Sequence, residues 1–121
     1  MPTIGDTGIG IAGIVDKLEC MILAFSVAPT ETPDATAEMA AAVARAVKVV
    51  RESGLPNETN AMFTLVEGEW DEVMDVVKRA TEAVAEASPR VSLVIKADIR
   101  PGYTGQIASK VESLERELDA L

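Results

Sequence analysis

An α+β sandwich is predicted for this chain: one antiparallel sheet, two helices on one of its faces, and a further helix at the C-terminus. Three observations carry that expectation. Met21 to Ala28 and Arg90 to Arg100 alternate side chains with the period of two that belongs to strands. Three other stretches repeat apolar residues every three or four positions, as amphipathic helices do. Proline and glycine fall between these stretches, at Pro29, Gly54, Pro56, Gly68, Pro89 and Pro101-Gly102. The resulting order is strand, helix, strand, strand, helix, strand, helix.

The first strand places Leu23, Phe25 and Val27 on one face and Ile22, Ala24 and Ser26 on the other, and Pro29 ends it. A short loop leads to a helix with Thr32 as N-cap and Pro33 in the first turn. Its expected buried stripe is Met39, Val43, Ala46, Val47 and Val50; Gly54 takes the left-handed position after its end, and Pro56 prevents continuation. Two short antiparallel strands are expected between Asn57 and Gly68, with a turn near Ala61 to Phe63 that neither glycine nor proline marks. Gly68 is expected to make a positive-φ turn into a helix from Trp70 to about Ala87. Val73, Val77, Ala80, Val84 and Ala87 line one face of that helix, and Glu69, Asp71 and Glu72 favour its N-terminal dipole. In the last strand Val91, Leu93, Ile95, Ala97 and Ile99 form one face, with Ser92, Val94, Lys96, Asp98 and Arg100 on the other. The final helix carries Ile107, Val111, Leu114, Leu118 and Leu121 as a seam that needs a partner, either the sheet rim or another subunit. This order is the ferredoxin-like βαββαβ sandwich with an additional C-terminal helix.

Composition narrows the function. The 121 residues suit one domain, and 48% apolar content with a mean hydropathy of +0.18 excludes a disordered chain. Eleven basic against twenty acidic residues give a net charge of −9, which argues against nucleic acid as a partner. No stretch is apolar enough to span a membrane. Histidine is absent, which removes the commonest general base and transition-metal ligand, so no enzyme is expected. A single cysteine, Cys20, allows no internal disulfide and suggests a cytoplasmic protein. Glu67, Glu69, Asp71 and Glu72 lack the alternating loop pattern of a calcium site and read as helix-capping groups. Trp70 reads as a packing residue at a helix start, and Tyr103 as a loop residue.

Residues 1 to 20 form an N-terminal extension outside the domain, which spans 21 to 121. Gly8-Ile9-Gly10-Ile11-Ala12-Gly13 matches the dinucleotide-binding spacing but lacks a preceding strand and a following long helix. It reads instead as an extension that packs on the body or on a neighbouring subunit.

If the helices cover one sheet face, the other presents Ser26, Lys96 and Asp98, joined by Glu58, Asn60 and Thr64 from the hairpin, among Ile22, Ala24, Met62 and Val94. Such a face is either an ordinary exposed surface or one half-covered by a second subunit around a pocket.

Thr64-Leu-Val-Glu67-Gly68 with Glu72-Val73, then Ile95-Lys96-Ala97-Asp98-Ile99-Arg100, then Ser109-Lys110-Val111-Glu112-Ser113-Leu114 resemble the YkoF-like thiamine-binding protein family over residues 21 to 121. The resemblance implies dimers or tetramers built through sheet contacts, and binding of thiamine or its hydroxymethylpyrimidine part without catalysis or a cofactor. Ala61-Met62-Phe63 is bulkier than the family's turn, so Phe63 is expected to reshape the pocket mouth. An aminopyrimidine suits Ser26, Asn60, Thr64 and Asp98, and a thiazolium cation suits Met62 and Phe63. Asp98 and Asn60 are expected to read the pyrimidine, with Lys96 holding Asp98. Two other readings stay open: an oligomerisation module with no small ligand, and an enzyme using Asp98 or Lys96.

Overall fold

A computed structural model describes residues 20–30 and 35–121, with the side chains of 35–38 left aside. The expected cap at Thr32 and Pro33 and the glycine-rich extension lie outside the described residues. Strand β1 (Met21–Pro29) is followed by helix α1 (Ala35–Glu52), strands β2 (Asn57–Thr59) and β3 (Thr64–Gly68), helix α2 (Trp70–Ala85), strand β4 (Val91–Ile99) and helix α3 (Gln106–Ala120). The strands form one sheet in the order β2-β3-β1-β4, and every neighbouring pair is antiparallel. This is the βαββαβ sandwich with its additional C-terminal helix.

β1 is the inner strand on which both layers are built. Met21, Leu23, Phe25, Val27 and Pro29 are buried in strict alternation with half-buried Ile22, Ala24, Ser26 and Ala28. The buried face meets α1 and α2. Leu23, Phe25 and Val66 from the sheet pack with Ala42, Ala46 and Val50 of α1 and with Val73, Val76, Val77, Ala80 and Val84 of α2. The buried row of α1 is therefore turned by about one position from the expected stripe. Ala42 and Ala46 are small enough for the helix to approach the sheet closely, so they take the core-facing line. Met39, expected to be buried, is 40% exposed. Together with Val43 and Val47 it forms a second ridge on the helix flank.

Local signals explain the boundaries. α1 ends before Gly54, whose φ of 82° is left-handed as expected. Gly68 shows no positive φ, correcting the expected turn geometry: it is the last residue of β3, and its lack of a side chain matters for space instead. A Cβ there would meet Val73 Cγ2 at 3.3 Å. Glu69 is the N-cap of α2 and accepts the Glu72 backbone N–H at 2.7 Å, while the Glu72 carboxylate reaches back to the Glu69 N–H at 3.5 Å. The hairpin turn has its own signal in Asn60. Its Oδ1 accepts the backbone N–H groups of Met62 and Phe63 at 2.8 and 2.9 Å, and its backbone N–H donates to the Phe63 carbonyl.

β4 lies at the sheet edge, and α2 only partly overhangs it. Leu93, Ile95 and Ile99 share the helix-side face with Val27, Phe25 and Met21, yet stay about 40% exposed. Among the described residues nothing further covers this apolar row of β4.

Leu23 is 1% exposed and central to this core. Leu23→Ala should cost about 2–5 kcal/mol, the range for emptying a buried leucine site. Denaturant titration should show a lowered midpoint with unchanged slope; a loss well under 1 kcal/mol would contradict the central place given to β1.

Candidate functional site

The open face of the sheet is organised by one row of residues across three strands: Glu67 on β3, Ile22 on β1 and Asp98 on β4 stand side by side in register. The first turn of α3 lies over this row. Its N-cap, Gly105, has a φ of 64° and offers no side-chain acceptor. Glu67 supplies what Gly105 lacks, accepting the Gln106 and Ile107 backbone N–H groups at 2.9 and 3.2 Å. Glu67 is 5% exposed, and these two donors satisfy a carboxylate that would otherwise be costly to bury. Capping was the expected role of the acidic run, but Glu67 caps α3, not the helix next to it. One turn further along, Lys110 Nζ meets Asp98 Oδ2 at 2.8 Å. Lys110, not Lys96, holds Asp98. Its hydrogen bond and its charge lower the Asp98 pKa, with smaller help from Arg100 and Lys96 against a small opposing effect of burial. Arg100 is itself placed over the Tyr103 ring, 3.8 Å from its centre, and donates to Gln106 Oε1 at 3.3 Å.

The seven residues expected to form one site fall into two groups. Lys96 and Asp98 line a cavity of about 260 Å³ on the open face, with Ile22, Ala24 and Lys110. Ser26, Asn60, Met62, Phe63 and Thr64 line a separate notch of about 240 Å³ at the other end of β1. β3 ends at Thr64, opposite Phe25, so Ser26–Ala28 run on past it and leave a strand edge beside the hairpin loop. The α1 ridge of Met39, Val43 and Val47 closes the opposite side of the notch. Thr64 was expected on the open face; in register with Phe25 it points to the helix layer and is 8% exposed. Asp98 and Asn60 do not converge. Asp98 lies beside Ile22 on β4, whereas Asn60 follows β2, three strands across the sheet and level with about Ser26, four residues further along β1. That separates them by roughly 13 Å along the strands and about as much across them.

The notch is lined without a single charged side chain. Its lining residues include Phe63, Met39 and Met62, the core-buried Phe25, and the polar Ser26, Thr59, Asn60 and Thr64. Asn60 Oδ1 is engaged by the loop, which leaves the N–H groups of its amide as the donors it can still offer. The α1 ridge was missed in the sequence because Met39, Val43 and Val47 satisfy the same helical period as the core row beside them. Among the described residues no helix is long and apolar enough to cross a membrane, and no group of three His, Cys, Asp or Glu is arranged to hold a metal ion. Cys20 is buried at 7% exposure.

The fold is that of a small ferredoxin-like domain. The thiamine-binding protein family matches residues 23–115, and the chain belongs to it. A UPF0045 protein of Mycobacterium bovis is 52% identical over 99 residues, covering 81% of this chain and 94% of that protein. A Bacillus cereus domain of unknown function, DUF77, is 36% identical in sequence with a TM-score of 0.64, covering 74% of this chain and 86% of that one. A Methanocaldococcus jannaschii protein superposes with a TM-score of 0.71 at 28% identity, over 80% of this chain and 97% of its own.

The Asp98–Lys110 tether has a pH dependence of definite sign. The Asp98 carboxyl is held below its ordinary value of 3.8, so the tether acts in full above that value and is lost as pH falls through the lower, folded-state value. Carboxyl-carbon NMR should give Asp98 a midpoint under 3.8, and Lys110→Gln should raise it. Equal midpoints in the two proteins would show that Lys110 is not the cause.

Proposed function

We propose that the chain is a non-catalytic binder of thiamine or its hydroxymethylpyrimidine part, and that the ring sits in the notch between α1 and the β2–β3 loop. The observation that carries this reading is the uncharged lining, with Phe63, Met39 and Met62 beside a few hydroxyl- and amide-bearing residues, in a chain of the thiamine-binding family. The hydroxyls of Ser26 and Thr64 and the Asn60 amide match the donor and acceptor pattern of an aminopyrimidine. The β1 edge past the end of β3 offers backbone groups to the same ring. The Met39, Met62 and Phe63 side chains suit a thiazolium, which needs polarisable neighbours more than a hydrogen bond. At about 240 Å³ the notch is smaller than the roughly 300 Å³ at which drug-sized sites begin. It therefore encloses one ring and leaves the rest of a two-ring ligand at its mouth. Neither a nucleophile–base pair nor a histidine lies at the notch, which supports binding without turnover.

The proposal includes self-association, as a dimer or tetramer. β4 is a nine-residue edge strand, and the α3 seam of Val111, Leu114 and Leu118 is 50% exposed or more. An edge and a seam of this length, unpaired and uncovered among the described residues, are surfaces that a second copy would bury. Sedimentation of the full chain should show an oligomer, and Leu114→Glu with Leu118→Glu should reduce its size or weaken it. A monomer at micromolar concentration would remove this part of the reading.

Calorimetric titration with thiamine and, separately, hydroxymethylpyrimidine should show saturable binding near one ligand per chain. Thr64→Val removes one hydroxyl and should weaken binding up to about tenfold. Val43→Trp should fill the notch and abolish binding while leaving the fold intact by circular dichroism. Absence of heat with both ligands would instead favour a module whose exposed surfaces serve assembly alone.

A further inference from the structure

The cavity over the Glu67–Ile22–Asp98 row is separate from the notch, and its chemistry is different. Its floor is Ile22 and Ala24, and its wall is Lys96, Asp98 and Lys110. The chain as a whole carries a charge of −9, yet around Asp98 three cations gather: Lys110 at 2.8 Å, with Lys96 and Arg100 acting on the same carboxylate at longer range. Asp98 neutralises Lys110. Lys96 makes no ion pair among the described residues, and it lines the cavity directly opposite Ala24, its partner on β1. The cavity thus holds two ammonium groups against one carboxylate, on an apolar floor that has no competing acceptor. Lysine ammonium groups bind phosphate as point charges, and two of them at one cavity suit a doubly charged oxyanion better than a carboxylate.

We propose that Lys96 and Lys110 form a phosphate-binding site on the open sheet face, with Asp98 as an internal competitor that occupies Lys110 until the anion arrives. The anion exchanges one carboxylate for a phosphate oxygen at Lys110 and adds a second contact at Lys96, so binding is a swap of partners without a new burial of charge. The phosphate can be free orthophosphate or the phosphate of a ligand whose ring lies in the notch. The notch lies on the α1 side of the sheet and the cavity on the open side. Ser26, at the free β1 edge past the end of β3, borders the notch and stands roughly 7 Å from Ala24 on the cavity floor, so a ligand reaching both would pass round that edge. The second source rests on the notch reading given above; the first does not.

The test is titration of the full chain at low ionic strength with inorganic phosphate, thiamine and thiamine monophosphate. Phosphate should bind saturably and weaken as salt is raised. Lys96→Gln should weaken it about three- to fivefold, the scale of one exposed charge pair. Asp98→Asn frees Lys110 and should strengthen it by a similar factor. These two exposed positions thus shift affinity in opposite directions, which general unfolding would not produce. Thiamine monophosphate tighter than both thiamine and phosphate, with the advantage lost in Lys96→Gln, identifies the bound ligand as the source. Phosphate binding that is unaffected by thiamine identifies free phosphate, and stands even if thiamine itself does not bind. No saturable phosphate binding, or binding indifferent to both substitutions, overturns the proposal.

Discussion

The arrangement depends on β1 having two unlike faces. Met21, Leu23, Phe25 and Val27 fill the core under α1 and α2, and β3 and β4 take their register from that alternation. The reverse face carries Ile22, Ala24, Ser26 and Ala28, mostly small residues. Large side chains there would have occupied the space that α3 and the open-face cavity now use. Burial on one face and shortness of side chain on the other are the same constraint seen from its two sides. A period-two pattern that is apolar throughout but bulky on one face only gives a sheet room for a ligand without weakening its core.

Electrostatics act locally in this acidic chain. The two carboxylates of the open-face row have opposite environments. Glu67 is buried and satisfied by backbone N–H groups at a helix start, whereas Asp98 is half exposed and satisfied by an ammonium. Both serve α3, one through the partial charge at its N-terminus and the other through a side chain one turn on. The notch, by contrast, has no charge at all. The surface therefore offers two chemically distinct environments within a few residues along one strand.

Much of the fold was legible in the sequence because it rests on local rules. Alternation marked β1 and β4, the Gly54 and Pro56 pair ended α1, and the acidic start of α2 is its capping box. The C-terminal seam was legible too, and much of it does lie uncovered. The site was less so, for reasons of three-dimensional register. Thr64 looked like an open-face residue until β3 paired with β1 and set it opposite Phe25. Lys96 was the natural partner of Asp98 by proximity in sequence, but a residue two apart on a strand stands about 7 Å away, while Lys110 arrives from a helix directly above. Met39, Val43 and Val47 could not be told from core residues by periodicity, since two neighbouring helix rows share one period. The missed turn signal at Asn60 was of another kind: its side chain substitutes for the glycine or proline that the loop lacks.

The cap that Glu67 provides to α3 crosses 39 positions of sequence. Helix α3 has no acceptor of its own at Gly105, so its first turn is completed only by strands already assembled beneath it. Because the side-chain period of a strand is two, a slip of β3 by one residue would turn Glu67 into the helix layer, and the same slip in β4 would do so to Asp98. The last helix can therefore seat only on a sheet whose three strands are correctly aligned. In a growing chain it is also the last of these elements to leave the ribosome, which makes its docking a proof-reading step for the alignment of everything made before it.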